Sequence, residues 1–408
     1  MTDDEFAEWL RVHADALETP AYIYDLERID QSIGWLRGIL PDDTQLLYSL
    51  KANPQVGILQ YLADHDVGAE TASMGEKDLC DAAGLEPECV LIGGVAKSRD
   101  DLRSVIGRHA GIVIDSPGEW TKLRDALVGD QIARVMLRIN PGVALGGLDM
   151  AGSSQFGISV GQALEIARQC QLEKKVEFLG LHAYFGSQRL KIKPIVATAN
   201  AVADAIDEFR SNGVDVPTVN IGLGCGVPYL ENDEELPYDE LRDALATVWL
   251  RDTWQGIDLW SEAGRAFVGR CGYYIARVVD RKERGEDIFV YLDGGLNTHN
   301  PGLGLGRFFH NNPRFLFSRR TPSEGPREKV QIVGNLCTSA DRIGKDVETA
   351  RLSPGDVVVI PNSGAYCATT AMWGFNSQPL FREALLQSDG RLEWLEPQCI
   401  ARSIDGRR

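Results

Sequence analysis

The sequence has little of what a nucleic-acid or membrane partner requires. Lys and Arg number 42 against 59 Asp and Glu, so the formal net charge of the 408 residues is −17. Phosphate backbones are bound by basic surfaces and anionic bilayers by polybasic segments, so neither partner is expected. There is no apolar run of about 18 residues, the minimum for a membrane-spanning helix. The opening Met1-Thr2-Asp3-Asp4-Glu5 is acidic and lacks the apolar stretch of a secretory signal. Cysteine is sparse, at positions 80, 89, 170, 225, 271, 337, 367 and 399, with no CxxC pair. That spacing suits neither a disulfide scaffold nor a zinc site. It fits free thiols in a reducing cytoplasm, where the protein is expected to reside. The six histidines are equally scattered, with no HExxH, so no metal centre is expected. What remains is 44% hydrophobic and 25% charged, a globular composition in a length that suggests two domains.

Over the first two thirds, short β-like runs alternate with amphipathic segments. The runs are Leu46–Leu50, Val67–Glu70, Cys89–Gly93, Gly111–Asp115, Arg134–Ile139, Glu177–Tyr184, Thr218–Ile221 and Ile257–Glu262. Helical patterns include Pro54–Asp64, Gly75–Ala83, Gly161–Cys170 and Ile195–Ser211. Eight such alternations predict a parallel sheet closed as a (β/α)8 TIM-type barrel, with a doubly wound open sheet as the alternative. Beyond about residue 265 the pattern becomes all-β, with strand-like Tyr273–Asp280, Ile288–Leu292, Lys329–Val333 and Val357–Ile360. Asn297–Gly306 reads as a glycine-rich loop. Thr19–Asp25 is strand-like and precedes a helix. The predicted division is a barrel over 26–265 and a β-rich domain from 1–25 and 266–408.

In a barrel, functional groups gather where strands end. The first strand ends at Lys51, among apolar neighbours. It is either an exposed loop lysine or an amine that desolvation deprotonates for Schiff-base chemistry. The sixth gives His182-Ala-Tyr184-Phe-Gly186-Ser187-Gln188, rings that either fill core or stack on a flat cofactor. The seventh gives Gly222-Leu-Gly224-Cys-Gly226, a turn or a backbone nest for a phosphate. The eighth gives Glu262-Ala-Gly-Arg265, a surface ion pair or a carboxylate and guanidinium at the barrel mouth. A Schiff-base lysine, a nest, a stacking ring and a carboxylate together match the needs of pyridoxal 5'-phosphate (PLP).

From Thr19 to about Phe381 the sequence resembles the fold-type III PLP-dependent decarboxylases, the family of diaminopimelate and ornithine decarboxylases. Motifs carrying the likeness are Tyr48-Ser-Leu-Lys51-Ala-Asn, Ala69-Glu70-Thr-Ala-Ser73, Gln155-Phe-Gly157, Gly186-Ser187-Gln188, Gly222–Gly226, Glu262–Arg265, Asp293-Gly-Gly295, Gly334-Asn-Leu-Cys337-Thr and Gly364-Ala-Tyr366. The resemblance implies an alanine-racemase-like barrel with a C-terminal β domain. It implies Lys51 as the Schiff-base lysine and Glu262 as the partner that keeps the pyridine nitrogen protonated. Alanine racemases of this fold carry an arginine there, so Glu262 favours decarboxylation over racemisation or epimerisation. A non-catalytic PLP-binding protein of the same barrel type would have neither the β domain nor Cys337. The resemblance further implies a phosphate site of Ser187, Gly224, Gly226, Arg265 and Tyr366, active-site places for Glu70 and Arg138, and Cys337 as an acid donated by the partner subunit of an obligate homodimer.

Two departures narrow the substrate. The histidine that stacks on PLP in the diamine and diaminopimelate enzymes is replaced by Tyr184, with His182 two residues earlier, and either ring could stack. The acidic residue that follows the cysteine in the diamine enzymes and recognises a distal ammonium is Thr338 here, which forfeits roughly 1.5–3 kcal/mol of charge-assisted bonding. Ornithine, lysine and diaminopimelate are therefore not the expected substrates. His182–Gln188 and Leu336–Thr338 resemble a branch from siderophore, antibiotic and exosortase-associated systems, one member of which acts on a glutamyl group tethered to an acyl carrier protein. The implied substrate is an amino acid, free or as a conjugate such as a carrier-tethered acyl group, with free substrate slightly favoured. Arg307 and His310, beyond the glycine-rich loop, are expected near the substrate entrance. Arg189, Lys191 and Lys193 form either a solvated loop or a docking patch for an acidic carrier.

Overall fold

The alternation of aliphatic runs and amphipathic helices closes into a parallel barrel in a computed structural model, which describes residues 1–142, 148–149, 152, 154–300, 311–319 and 326–396. In chain order the strands begin with β1 (Ala21–Asp25), β2 (Gln45–Ser49), β3 (Gly68–Thr71), β4 (Val90–Ile92), β5 (Gly111–Ile114) and β6 (Ala133–Arg138). They continue with β7 (Leu148–Asp149), β8 (Val176–Tyr184), β9 (Gly186–Ser187), β10 (Thr218–Gly222) and β11 (Asp258–Ala263). Strands β2 to β6, β8, β10 and β11 close on one another as an eight-stranded parallel barrel. Its aliphatic interior includes Leu47, Leu91, Val113, Met136 and Leu179 with Trp260. The observed strands lie within a few residues of the runs read from sequence.

Serine N-caps fix where several helices start and hence how long each strand-to-helix turn is. Ser73, Ser98, Ser116 and Ser159 each accept from the backbone N–H three residues on, satisfying an otherwise orphaned helix donor. At Gly180, where the β6–β8 register shifts, φ is +144° and a Cβ would lie 1.8 Å from the Thr218 carbonyl oxygen. Only glycine fits that seam.

The remaining strands are β12 (Gly272–Arg284), β13 (Asp287–Leu292), β14 (Leu316–Ser318), β15 (Glu328–Val333), β16 (Arg342–Thr349), β17 (Val357–Ile360), β18 (Arg382–Leu386) and β19 (Leu392–Leu395). With β1 they form a nine-stranded mixed sheet among the described residues. The N-terminal strand pairs antiparallel with β12 and parallel with β18, so the chain opens in the β domain before entering the barrel. Periodicity alone does not reveal β16, β18 and β19. In β16 buried residues alternate irregularly with exposed charges, and a weak alternation is what an edge strand leaves in sequence. The acidic N-terminus forms a helix, Asp3–His13, started by a Thr2/Glu5 capping box and buried through Phe6 and Leu10.

Contacts divide the chain into two units. One comprises Met1–Ser32, Val227–Glu234 and Phe267–Arg408, and the other Ile33–Gly226 and Glu235–Ala266.

Candidate active site

In the barrel unit, strands β8, β10 and β11 bring three polar side chains to one point. In register, Asn220 of β10 lies beside His182 of β8, and Glu262 projects from the end of β11. His182 Nε2 lies 2.9 Å from Glu262 Oε2, and Asn220 Nδ2 donates to the same oxygen at 2.9 Å. All three are buried. Burial alone would lift the Glu262 carboxyl, but His182, with the nearby cations Lys51 and Arg138, outweighs it and holds the pKa down to about 2. An ionised carboxylate only accepts, so the His182 Nε2 carries a proton. Two buried atoms of this cluster, His182 Nδ1 and Asn220 Oδ1, have no hydrogen-bond partner among the described residues.

Lys51 stands on the single 3-10 turn that follows β2. Its Nζ is 3.7 Å from Glu70 Oε2 and 5.1 Å from the centre of the Tyr184 ring. Glu70, buried on β3, also accepts from Ser49 Oγ at 2.5 Å. Arg138, at the end of β6, is held by Asp115 Oδ1 at 3.1 Å and lies over the Phe156 ring at 4.6 Å. The same Asp115 oxygen accepts the Gly157 N–H at 3.2 Å, so the Gln155-Phe-Gly157 motif folds back onto Arg138.

A cleft is lined by Tyr184, Ser187, Gly224, Glu262 and Arg265, among others. Its glycines are there for space. At Gly222 a Cβ would lie 2.1 Å from the Tyr184 ring, and at Gly224 (φ +72°) it would lie 2.1 Å from the Gly186 carbonyl oxygen. Gly226 is crowded by the Gln188 carbonyl carbon at 2.9 Å, and its N–H donates to the Arg189 carbonyl. Arg265 Nε approaches Ser187 Oγ at 3.5 Å. An ionised carboxylate suits a ring N–H, the glycine-rich loop suits a phosphate, and orphaned polar atoms sit beside the carboxylate. The residues present therefore fit PLP.

Asn220 and Arg189 escape the sequence reading in different ways. Asn220 has a signal, since it is two residues from Gly222 on the strand and so shares that residue's face. Arg189, grouped in sequence with Lys191 and Lys193, is 1% exposed, whereas both lysines are exposed. It is no part of a solvated loop or a docking patch.

Cys337, Thr338 and Tyr366 belong to the β-rich unit. Cys337 is exposed, and its backbone N–H donates to Asn376 Oδ1 at 2.9 Å. Its loop is clamped by the buried Asp341, which accepts from Leu336 N and Leu296 N, each at 2.8 Å. Half-buried Thr338 uses its hydroxyl to accept from Ala340 N. Tyr366 adopts φ +65° in the turn after β17. Arg307 and His310 lie outside the described residues. The described cysteines are free thiols, and no described helix is long and apolar enough to cross a membrane.

Comparison with known proteins agrees with this chemistry. Residues 26–269 match the family model described as the pyridoxal-binding domain of pyridoxal-dependent decarboxylases. The chain is 30% identical over 403 residues to the L-glutamyl-[BtrI acyl-carrier protein] decarboxylase of Niallia circulans, covering 95% of this chain and 93% of that protein. It is 29% identical over 382 residues to the diaminopimelate decarboxylase of Helicobacter pylori, covering 91% of each. The crystal structure of the Helicobacter pylori diaminopimelate decarboxylase with L-lysine superimposes with a TM-score of 0.82 at 26% identity, covering 93% of this chain and 94% of that one. With its closed barrel and mixed β domain, the chain belongs to the fold-type III pyridoxal-phosphate-dependent decarboxylases and is a PLP-dependent carboxy-lyase.

Proposed function

We propose that this enzyme removes the α-carboxyl of an amino acid, free or conjugated, whose side chain carries no distal ammonium. The observation that carries the reading is the Glu262 carboxylate, held ionised by His182 at the cleft floor. When bound, PLP supplies an electron sink for the charge left on the α-carbon as CO2 departs, provided its ring nitrogen is protonated. Glu262 is the group that holds that proton, and Asn220 and His182 fix its orientation. Lys51 is the Schiff-base lysine, with Glu70 keeping its amine at the strand end. Tyr184, whose ring faces Lys51 Nζ, is the stacking ring, and His182 is committed to Glu262. Ser187, Gly224 and Arg265 hold the phosphate.

Cys337 returns a proton to the α-carbon. Its exposure in its own chain supports delivery to a second copy, in a homodimer with shared sites. Thr338 offers a hydroxyl where a cationic side chain would need a carboxylate. The likeness to a decarboxylase of a carrier-tethered glutamyl group supports testing that conjugate beside free amino acids. Replacing Lys51 by Ala should abolish the visible absorbance of bound cofactor and all CO2 release. A variant that retains both would refute the Schiff-base assignment.

A further inference from the structure

Among the described residues Arg189 is the largest side chain that is fully buried, at 1% exposure, and it lies against the glycine loop. Its backbone N–H donates to the Gly224 carbonyl at 3.0 Å, and its own carbonyl accepts from Gly226 N at 2.9 Å. Its guanidinium donates through Nη1 to the Leu223 carbonyl at 3.3 Å and, by a short bond, to Thr198 Oγ1 on the helix Ile192–Ser211. One residue thus engages two successive carbonyls of Gly222–Gly226 and anchors them to a long helix. A backbone nest binds an anion through its N–H groups, so its carbonyl oxygens must be occupied elsewhere. Arg189 occupies two of them. It also sets a permanent positive charge within hydrogen-bond distance of the loop.

We propose that Arg189 is a positioning residue that shapes the glycine loop for a phosphate dianion. This rests on the reading of Ser187, Gly224 and Arg265 as the phosphate site, the Gly226 N–H being already donated to the Arg189 carbonyl. It gives the position after Gly-Ser-Gln a role in cofactor affinity, with no contact to substrate.

The test is titration of apoenzyme with PLP and, separately, with pyridoxal, which lacks the phosphate, reading the absorbance of the bound form. Arg189→Met should weaken PLP binding by about tenfold to a hundredfold and leave pyridoxal binding nearly unchanged. Arg189→Lys should recover part of the loss. Equal losses for both ligands, or an unchanged PLP affinity, would overturn the proposal. If Arg189→Met does not fold, Thr198→Val is read by the same ratio: a selective fall for PLP supports the proposal and an unchanged ratio overturns it. Arg265→Met separates this inference from the reading beneath it. If Arg265→Met loses PLP selectively and Arg189→Met does not, only the role of Arg189 fails. If neither does, the phosphate site itself is wrongly assigned.

Discussion

Glu76 sits one turn into the helix Met74–Ala82 and reaches back to accept the Ala72 N–H at 2.6 Å. Burial, with Glu70 nearby, pushes its carboxyl up to about 7, against the opposing pull of the Ala72 bond and Lys51. A raised carboxyl favours the neutral form in the folded state. Its contribution to stability is therefore complete below the ordinary carboxylate range and is lost as pH climbs through about 7. Glu76→Gln, permanently neutral and still able to accept from Ala72, should gain in melting temperature over the native chain as pH is raised from about 5 to about 8. A difference that stays constant with pH would contradict the assignment. Glu262 behaves in the opposite sense: held down to about 2, it stays ionised throughout this range. Residue types at strand ends made Lys51, His182 and Glu262 legible in the sequence. Arg189 was not, because nothing local tells a buried guanidinium from a solvated one when two exposed lysines follow it.

At the scale of elements, the ends of β4 and β5 are joined by a buried ion pair. Lys97 Nζ donates to the carbonyls of Gly93, Gly94 and Val113 and lies 3.2 Å from Glu119 Oε1. Glu119 accepts in turn from Lys97 N and Asp115 N, and Asp115 holds Arg138. Desolvation lowers the Lys97 pKa, with Glu119 opposing it. Removing one partner of such a pair strands the other charge. Lys97→Met should therefore cost about 3–5 kcal/mol in denaturation experiments, and Lys97→Met with Glu119→Gln should recover much of it. A neutral single variant would show that the pair does not tie these loops. The barrel was legible because its strands are buried on both faces and read as near-continuous aliphatic runs. The edge strands β16 and β19, the strand β18 between β1 and β19, and the helix Asp3–His13 lack that contrast. Their places depend on partners far along the chain, as with β18 on β1.

For the whole molecule, the acidic balance now has a narrower meaning. With Arg189 buried, the cationic segment after β9 reduces to Lys191 and Lys193, a small attraction for an acidic carrier set against a strongly acidic body. The proposed shared site makes a sharper claim about assembly. Mixing Lys51→Ala with Cys337→Ala under conditions of subunit exchange should restore about a quarter of native activity, because half of the dimers then carry one intact site. No recovery would place Lys51 and Cys337 in the same chain's site, or Cys337 outside it.

The central claim is loss of the α-carboxyl with return of a proton to the same carbon. Its most direct measurement is mass spectrometry of products formed in deuterium oxide by the PLP-loaded enzyme. The substrates would be free amino acids, including glutamate and lysine, and a carrier-tethered glutamyl group. The account predicts an amine lighter by one CO2 with a single deuterium on the former α-carbon, from a substrate without a distal ammonium. Deuterium gained at the α-carbon with the carboxyl retained would contradict it, and would make the enzyme a racemase or epimerase.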